Sequence, residues 1–105
     1  MAVVAMDAGN NLPGLASIWT KKLTIVGAGS SDIVIMPETR LSSLDFSFTG
    51  SPTLWATISS RTEIDAGTAD WQEVGQGDTI GVAATAIKAT NATGTAVINL
   101  IAKTY

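Results

Sequence analysis

Three carboxylates, Glu63, Asp65 and Asp70, lie within eight residues of one another, and such a cluster is raw material for a cation site. Calcium needs roughly six to eight oxygens, usually delivered from alternating positions of one loop. The spacing here matches no EF-hand loop, and the plainer reading is a solvated acidic loop. Asp7-Ala8-Gly9-Asn10-Asn11 offers even less. Nine acids in 105 residues make chance carboxylate pairs easy, but a glycosidase needs its pair in a cleft, and a chain this short leaves little to build one. Gly27-Ala28-Gly29 has the start of a phosphate-binding loop, yet a dinucleotide site needs a third glycine and a following helix. Here a new strand begins near Asp32, so the segment reads as a turn. Asn91-Ala92-Thr93 fits the glycosylation sequon and reads as a turn as well.

The chain has no histidine and no cysteine. Histidine is the usual proton shuttle near neutral pH and the commonest metal ligand, and a cysteine thiolate is the strongest common nucleophile. Serine catalysis would lack its histidine base, and nothing marks a Ser/Lys dyad. The expectation is a protein that is not an enzyme, with no cofactor, no metal and no disulfide framework. Net charge is −3, and the six basic residues are scattered, which argues against nucleic acid as a partner. No apolar run approaches the roughly 18–20 residues of a membrane helix, and the N-terminus lacks the basic and apolar regions of a signal peptide. Only 14% of residues are charged, against a usual value of about 25%. Ser and Thr must therefore cover much of the surface, or part of it faces another protein.

The tryptophans are the most suggestive side chains. Trp55 falls on the polar side of an alternating segment, where it is either covered by a loop or offered to a partner. Aromatic residues are enriched in interface cores. Trp71, between Asp70 and Glu73, reads as a core or rim residue. The first twenty residues combine turn formers (Gly9, Asn10, Asn11, Pro13, Gly14) with apolar side chains worth burying, among them Met6, Leu12, Leu15 and Trp19. They read as an irregular arm that tucks onto its own domain or docks on a neighbouring subunit. Met6, Leu12, Leu15, Trp19 and Trp55 are the candidate protein-interaction residues.

The elements that would position these residues are strands. Leu44, Phe46 and Phe48 alternate with Ser43, Asp45, Ser47 and Thr49, a period of two that sorts side chains on a half-buried strand and would scatter them on a helix. Residues 22–26 and 32–36 suggest a hairpin across the Gly/Ser loop. Residues 53–60 form the next strand, with Leu54, Ala56 and Ile58 on its apolar side. Residues 63–67 read as a loop, 68–74 as a short strand, 79–90 as one or two strands, and 95–103 as the last strand, with Ala96, Ile98, Leu100 and Ala102 on one face. No segment reads as an amphipathic helix. The sum is an all-β chain: a single antiparallel β-sandwich or small barrel of about seven strands, with residues 1–20 as an N-terminal arm and 21–105 as the β-sandwich domain.

The cadence Leu54-Trp55-Ala56-Thr57-Ile58-Ser59-Ser60, then Asp70-Trp71-Gln72-Glu73-Val74, then Ile87-Lys88-Ala89-Thr90-Asn91-Ala92-Thr93-Gly94-Thr95-Ala96-Val97-Ile98 resembles small structural proteins of tailed bacteriophage virions. In those proteins a strand and turn precede a Trp-containing strand, and a closing hairpin turns through Asn-x-Thr/Ser-Gly-Thr. The likeness covers roughly residues 53 to 103. Asp65-Ala66-Gly67 only partly matches the acidic Asn-Asp-Gly turn of such proteins, and the N-terminal arm has no counterpart. The resemblance implies a β-sandwich, made in the host cytoplasm and built into the virion, that decorates or cements a capsid. The partners it implies are the major capsid protein or other virion proteins, in a homo-oligomer such as a trimer or ring. A neck or tail component is the alternative within that class. A carbohydrate-binding module for host adsorption, stacking sugars on exposed Trp, is the alternative outside it.

Overall fold

The computed structural model describes residues 2–8, 18–37, 41–75 and 83–104. Two β-sheets pack face to face, as the alternating pattern requires. One is a six-stranded sheet of β1 (Val3–Ala5), β4 (Gly29–Ser30), β5 (Ile33–Ile35), β7 (Thr53–Thr57), β8 (Gln72–Val74) and β9 (Ala86–Asn91). Its order is β1-β5-β9-β7-β8, with β4 also pairing β9. The other is four-stranded, β2-β3-β10-β6, made of β2 (Asp7–Ala8), β3 (Ile18–Val26), β6 (Leu41–Thr49) and β10 (Thr95–Thr104). Among the described residues every pairing is antiparallel except that of β1 with β5. A radius of gyration of 13.4 Å is what a folded chain of about 100 residues has.

The core is the sum of the inward faces. Ala96, Ile98, Leu100 and Ala102 of β10 are all sealed from solvent, opposite Leu23 and Ile25 of β3 and Leu44 of β6. The six-stranded sheet contributes Val34, Leu54, Ile87 and Ala89. Burying a side chain of the Ile, Leu or Val type stabilises the fold by about 1.5–3 kcal/mol, so these residues carry most of the cohesion. Small Ala on β9 and β10 lets the sheets approach where Ile and Leu from the facing strands fill the space.

Several expectations are corrected. Residues 22–26 and 32–36 do not form a hairpin: β3 pairs with β2 and β10, whereas β5 pairs with β1 and β9 in the other sheet. The chain crosses between sheets at Gly27 and Ala28, and Gly29–Ser30 already pairs with β9 as β4. The strand from residue 53 ends at Thr57. There the Thr57 hydroxyl donates to the Asp70 carbonyl at 2.6 Å and accepts from the Ser59 N–H at 3.1 Å, a side-chain turn that diverts the chain. Ile58, expected on the apolar face, is consequently 78% exposed. Only residues 72–74 of the expected 68–74 strand are extended in a ladder.

Residues 61–66 form a helix, α1 (Arg61–Ala66), where a loop was expected. Ser60 and Glu63 make a reciprocal capping box, and Gly67 closes the helix in the left-handed conformation at φ 77°, a backbone state that glycine adopts without steric cost. Ile64 is the buried residue of this single-sided turn. The described residues of the N-terminal segment are also strand. β1 and β2 extend the two sheets, Met6 is 5% exposed within the core, and Ile18-Trp19-Thr20 belong to β3.

Candidate interaction surfaces

Strand alternation on the six-stranded sheet sends Leu54 and Ala56 inward and Trp55 outward. The register then builds a row across three strands, with Glu73 on one side of Trp55 and Lys88 on the other. The Trp55 indole N–H donates to the Thr90 hydroxyl at 3.1 Å, which locks the ring orientation on a sheet that is otherwise free to present it. Lys88 carries its ammonium across β7 to lie 4.5 Å from the centre of the Trp71 ring. A cation at that distance is held by the negative face of the indole. Trp55 and Trp71, both half-buried, thus lie on one face with Lys88, which stands beside Trp55 in register and reaches the Trp71 ring with its ammonium. Sequence reasoning singled out both tryptophans but not Lys88. The available signal was its place at an outward position of the Ala86–Asn91 alternation.

The four-stranded sheet presents a different outer face. Its cross-strand rows are Thr24–Val97–Thr49, Lys22–Asn99–Ser47 and Thr20–Ile101–Asp45. Val26, next along β3, is 79% exposed and Ile101 is 38% exposed. Hydroxyl, amide and β-branched side chains dominate, interspersed with Asp7, Lys22, Asp45 and Lys103. A shallow depression of about 590 Å³ is bordered by Thr20, Lys22, Asn99, Ile101 and Asp45.

The remaining candidate residues distribute as follows. Met6 is a core residue. Trp19 packs against the core with its indole N–H donating to the Thr104 hydroxyl at 3.3 Å. Leu12 and Leu15 lie outside the described residues. Among the described residues no three carboxylates gather as a metal site. Glu63 is occupied with the helix cap, Asp65 pairs with Arg61 at 3.0 Å, and the Asp70 backbone is bound by Thr57 and Ser59. Asn91 of the sequon is buried, its amide spent on three backbone carbonyls. Among the described residues no helix is long and apolar enough to cross a membrane.

Searches against protein-family models, curated proteins and solved structures gave no match for this chain.

Proposed function

We propose that this chain is a non-enzymatic structural protein of a tailed-bacteriophage virion that decorates or cements the capsid. The observation that carries the reading is the outer face of the four-stranded sheet, a broad and shallow surface of Thr, Ser, Asn, Val and Ile with scattered charges of both signs, Asp7, Lys22, Asp45 and Lys103. Such a face suits repeated, shallow contact with a protein lattice. Avidity then comes from symmetry and copy number rather than from a deep pocket. The virion resemblance over residues 53–103 supports the same reading, as does a chain with neither histidine nor cysteine. The partner is the major capsid protein or a neighbouring virion protein, and the protein works as a homo-oligomer.

The test is quantitative mass spectrometry of gradient-purified virions, followed by rebinding of purified protein to stripped capsids. Saturable rebinding at a copy number set by the capsid lattice is expected. Absence from the particle would overturn the proposal, and a copy number matching the neck or tail would move the protein there.

Trp55 and Trp71, half-buried on the six-stranded sheet, favour one second reading, glycan binding for host adsorption. Specific glycan-array signal that is lost in Trp55→Ala or Trp71→Ala would establish it in place of the first.

A further inference from the structure

We infer that β6 is the docking edge for a second copy of this chain, the two β6 strands pairing antiparallel about a twofold axis through Phe46. This rests on the homo-oligomeric part of the reading above but needs no capsid.

Among the described residues β6 is paired only along its β10 side. The edge it leaves is long. β6 has nine residues, whereas the outermost strands β1, β2 and β8 have three, two and three. Proteins that stay monomeric blunt such edges with several charged side chains, above all lysine, with proline or with a mid-strand bulge, whereas β6 carries the single charge of Asp45. β6 reads Leu41-Ser42-Ser43-Leu44-Asp45-Phe46-Ser47-Phe48-Thr49, without lysine or proline, and its one irregularity lies at the end, opposite Lys103 and Thr104. The other extended strand of that sheet, β3, carries adjacent lysines, Lys21 and Lys22, and is partly covered by β2. Phe46 and Phe48 stack on each other with centroids 6.0 Å apart and rings 8° from parallel, yet both remain half-buried. Apolar aromatic surface is left at the flank of the sandwich, along an unpaired ladder.

The side chains of β6 also select one register. A twofold axis normal to the sheet keeps each face matched to itself only when it passes through a residue, because neighbouring residues point to opposite faces. An axis through Asp45 sets that carboxylate against its own copy. An axis through Leu44 sets Phe46 against Ser42, and one through Ser47 sets Leu44 against Gly50. An axis through Phe46 pairs Phe46 with itself, Leu44 with Phe48 and Asp45 with Ser47. Leu44, Phe46 and Phe48 then all meet apolar residues, and no like charges meet. The two four-stranded sheets continue as one.

The register makes a charge-sign prediction at an exposed position. Ser47 faces outward from the four-stranded sheet, so its substitution leaves the core intact. Asp45 of each copy lies opposite Ser47 of the other. Ser47→Asp creates two like-charge pairs across the interface, and Ser47→Lys creates two opposite-charge pairs. Sedimentation equilibrium at low ionic strength should show a dimer. Its dissociation constant should rise on the order of threefold to tenfold in Ser47→Asp and fall by a similar factor in Ser47→Lys. The double variant Asp45→Lys/Ser47→Asp restores two opposite-charge pairs with the signs exchanged and should match Ser47→Lys, and added salt should compress all the differences. Circular dichroism checks that each variant stays folded. A wild-type protein that is monomeric at every concentration would overturn the inference. So would an oligomer indifferent to the sign of the charge at position 47. Failure of capsid rebinding leaves these masses unchanged, so the two readings fail separately.

Discussion

The side-chain amide of Asn91 donates to the carbonyl oxygen of Gly27 at 3.1 Å, across 64 residues of sequence. The same nitrogen lies 3.2 Å from the Thr93 carbonyl and 2.9 Å from that of Gly94. Gly94 in turn accepts from the Gly27 N–H at 2.8 Å. Both links between the sheets at this end, from β3 toward β4 and from β9 to β10, therefore run through one buried amide. A turn between strands of different sheets cannot satisfy its carbonyls in a ladder, and Asn91 does so instead.

Asn91→Ala should lower unfolding free energy by about 1–3 kcal/mol, the cost of stranding buried carbonyls. Asn91→Asp should cost more, since it turns carboxylate oxygens toward carbonyl oxygens. Urea denaturation followed by tryptophan fluorescence measures both.

Gly50 sits at φ 83° between β6 and β7, and a Cβ built there would lie 2.7 Å from the Thr95 carbonyl oxygen. Backbone strain and a backbone clash combine, so Gly50→Ala should destabilise by about 1–3 kcal/mol. A melting temperature equal to the wild type would show that the turn relaxes freely.

Ser60→Ala removes the N-cap of α1, where the Ser60 hydroxyl accepts from the Glu63 N–H at 3.3 Å. The expected loss is about 1 kcal/mol. Because the helix stands apart from the main core, hydrogen exchange in residues 61–67 should rise while β10 stays protected. Uniform loss of protection would contradict this separation.

Val26→Glu and Ile101→Lys test the outer face of the four-stranded sheet. Both positions are solvent-facing, so stability should change by no more than about 0.5 kcal/mol. Each replaces an apolar β-branched side chain of that face by a charge, and capsid rebinding should weaken. Unaltered rebinding would assign the contact to another surface.

Much of this architecture is legible in the alternation of residues. Leu44, Phe46 and Phe48, and Ala96, Ile98, Leu100 and Ala102, point inward as the period of two demands, because a strand has no other way to bury one side. The helix was legible too, in Ser60-x-x-Glu63 and Gly67, but six residues give too little periodicity to outweigh their polar composition. Trp55 was assigned to the correct face, since facing is local.

What only the tertiary structure decided is which strand neighbours which. Residues 22–26 and 32–36 carry every mark of a hairpin, yet belong to different sheets, because hydrogen-bond ladders are blind to sequence distance and burial of both inner faces outweighs a short loop. The same holds for the meeting of Lys88 with Trp71 and of Asn91 with Gly27. Alternation tells each side chain in or out; its partner depends on where distant strands come to lie.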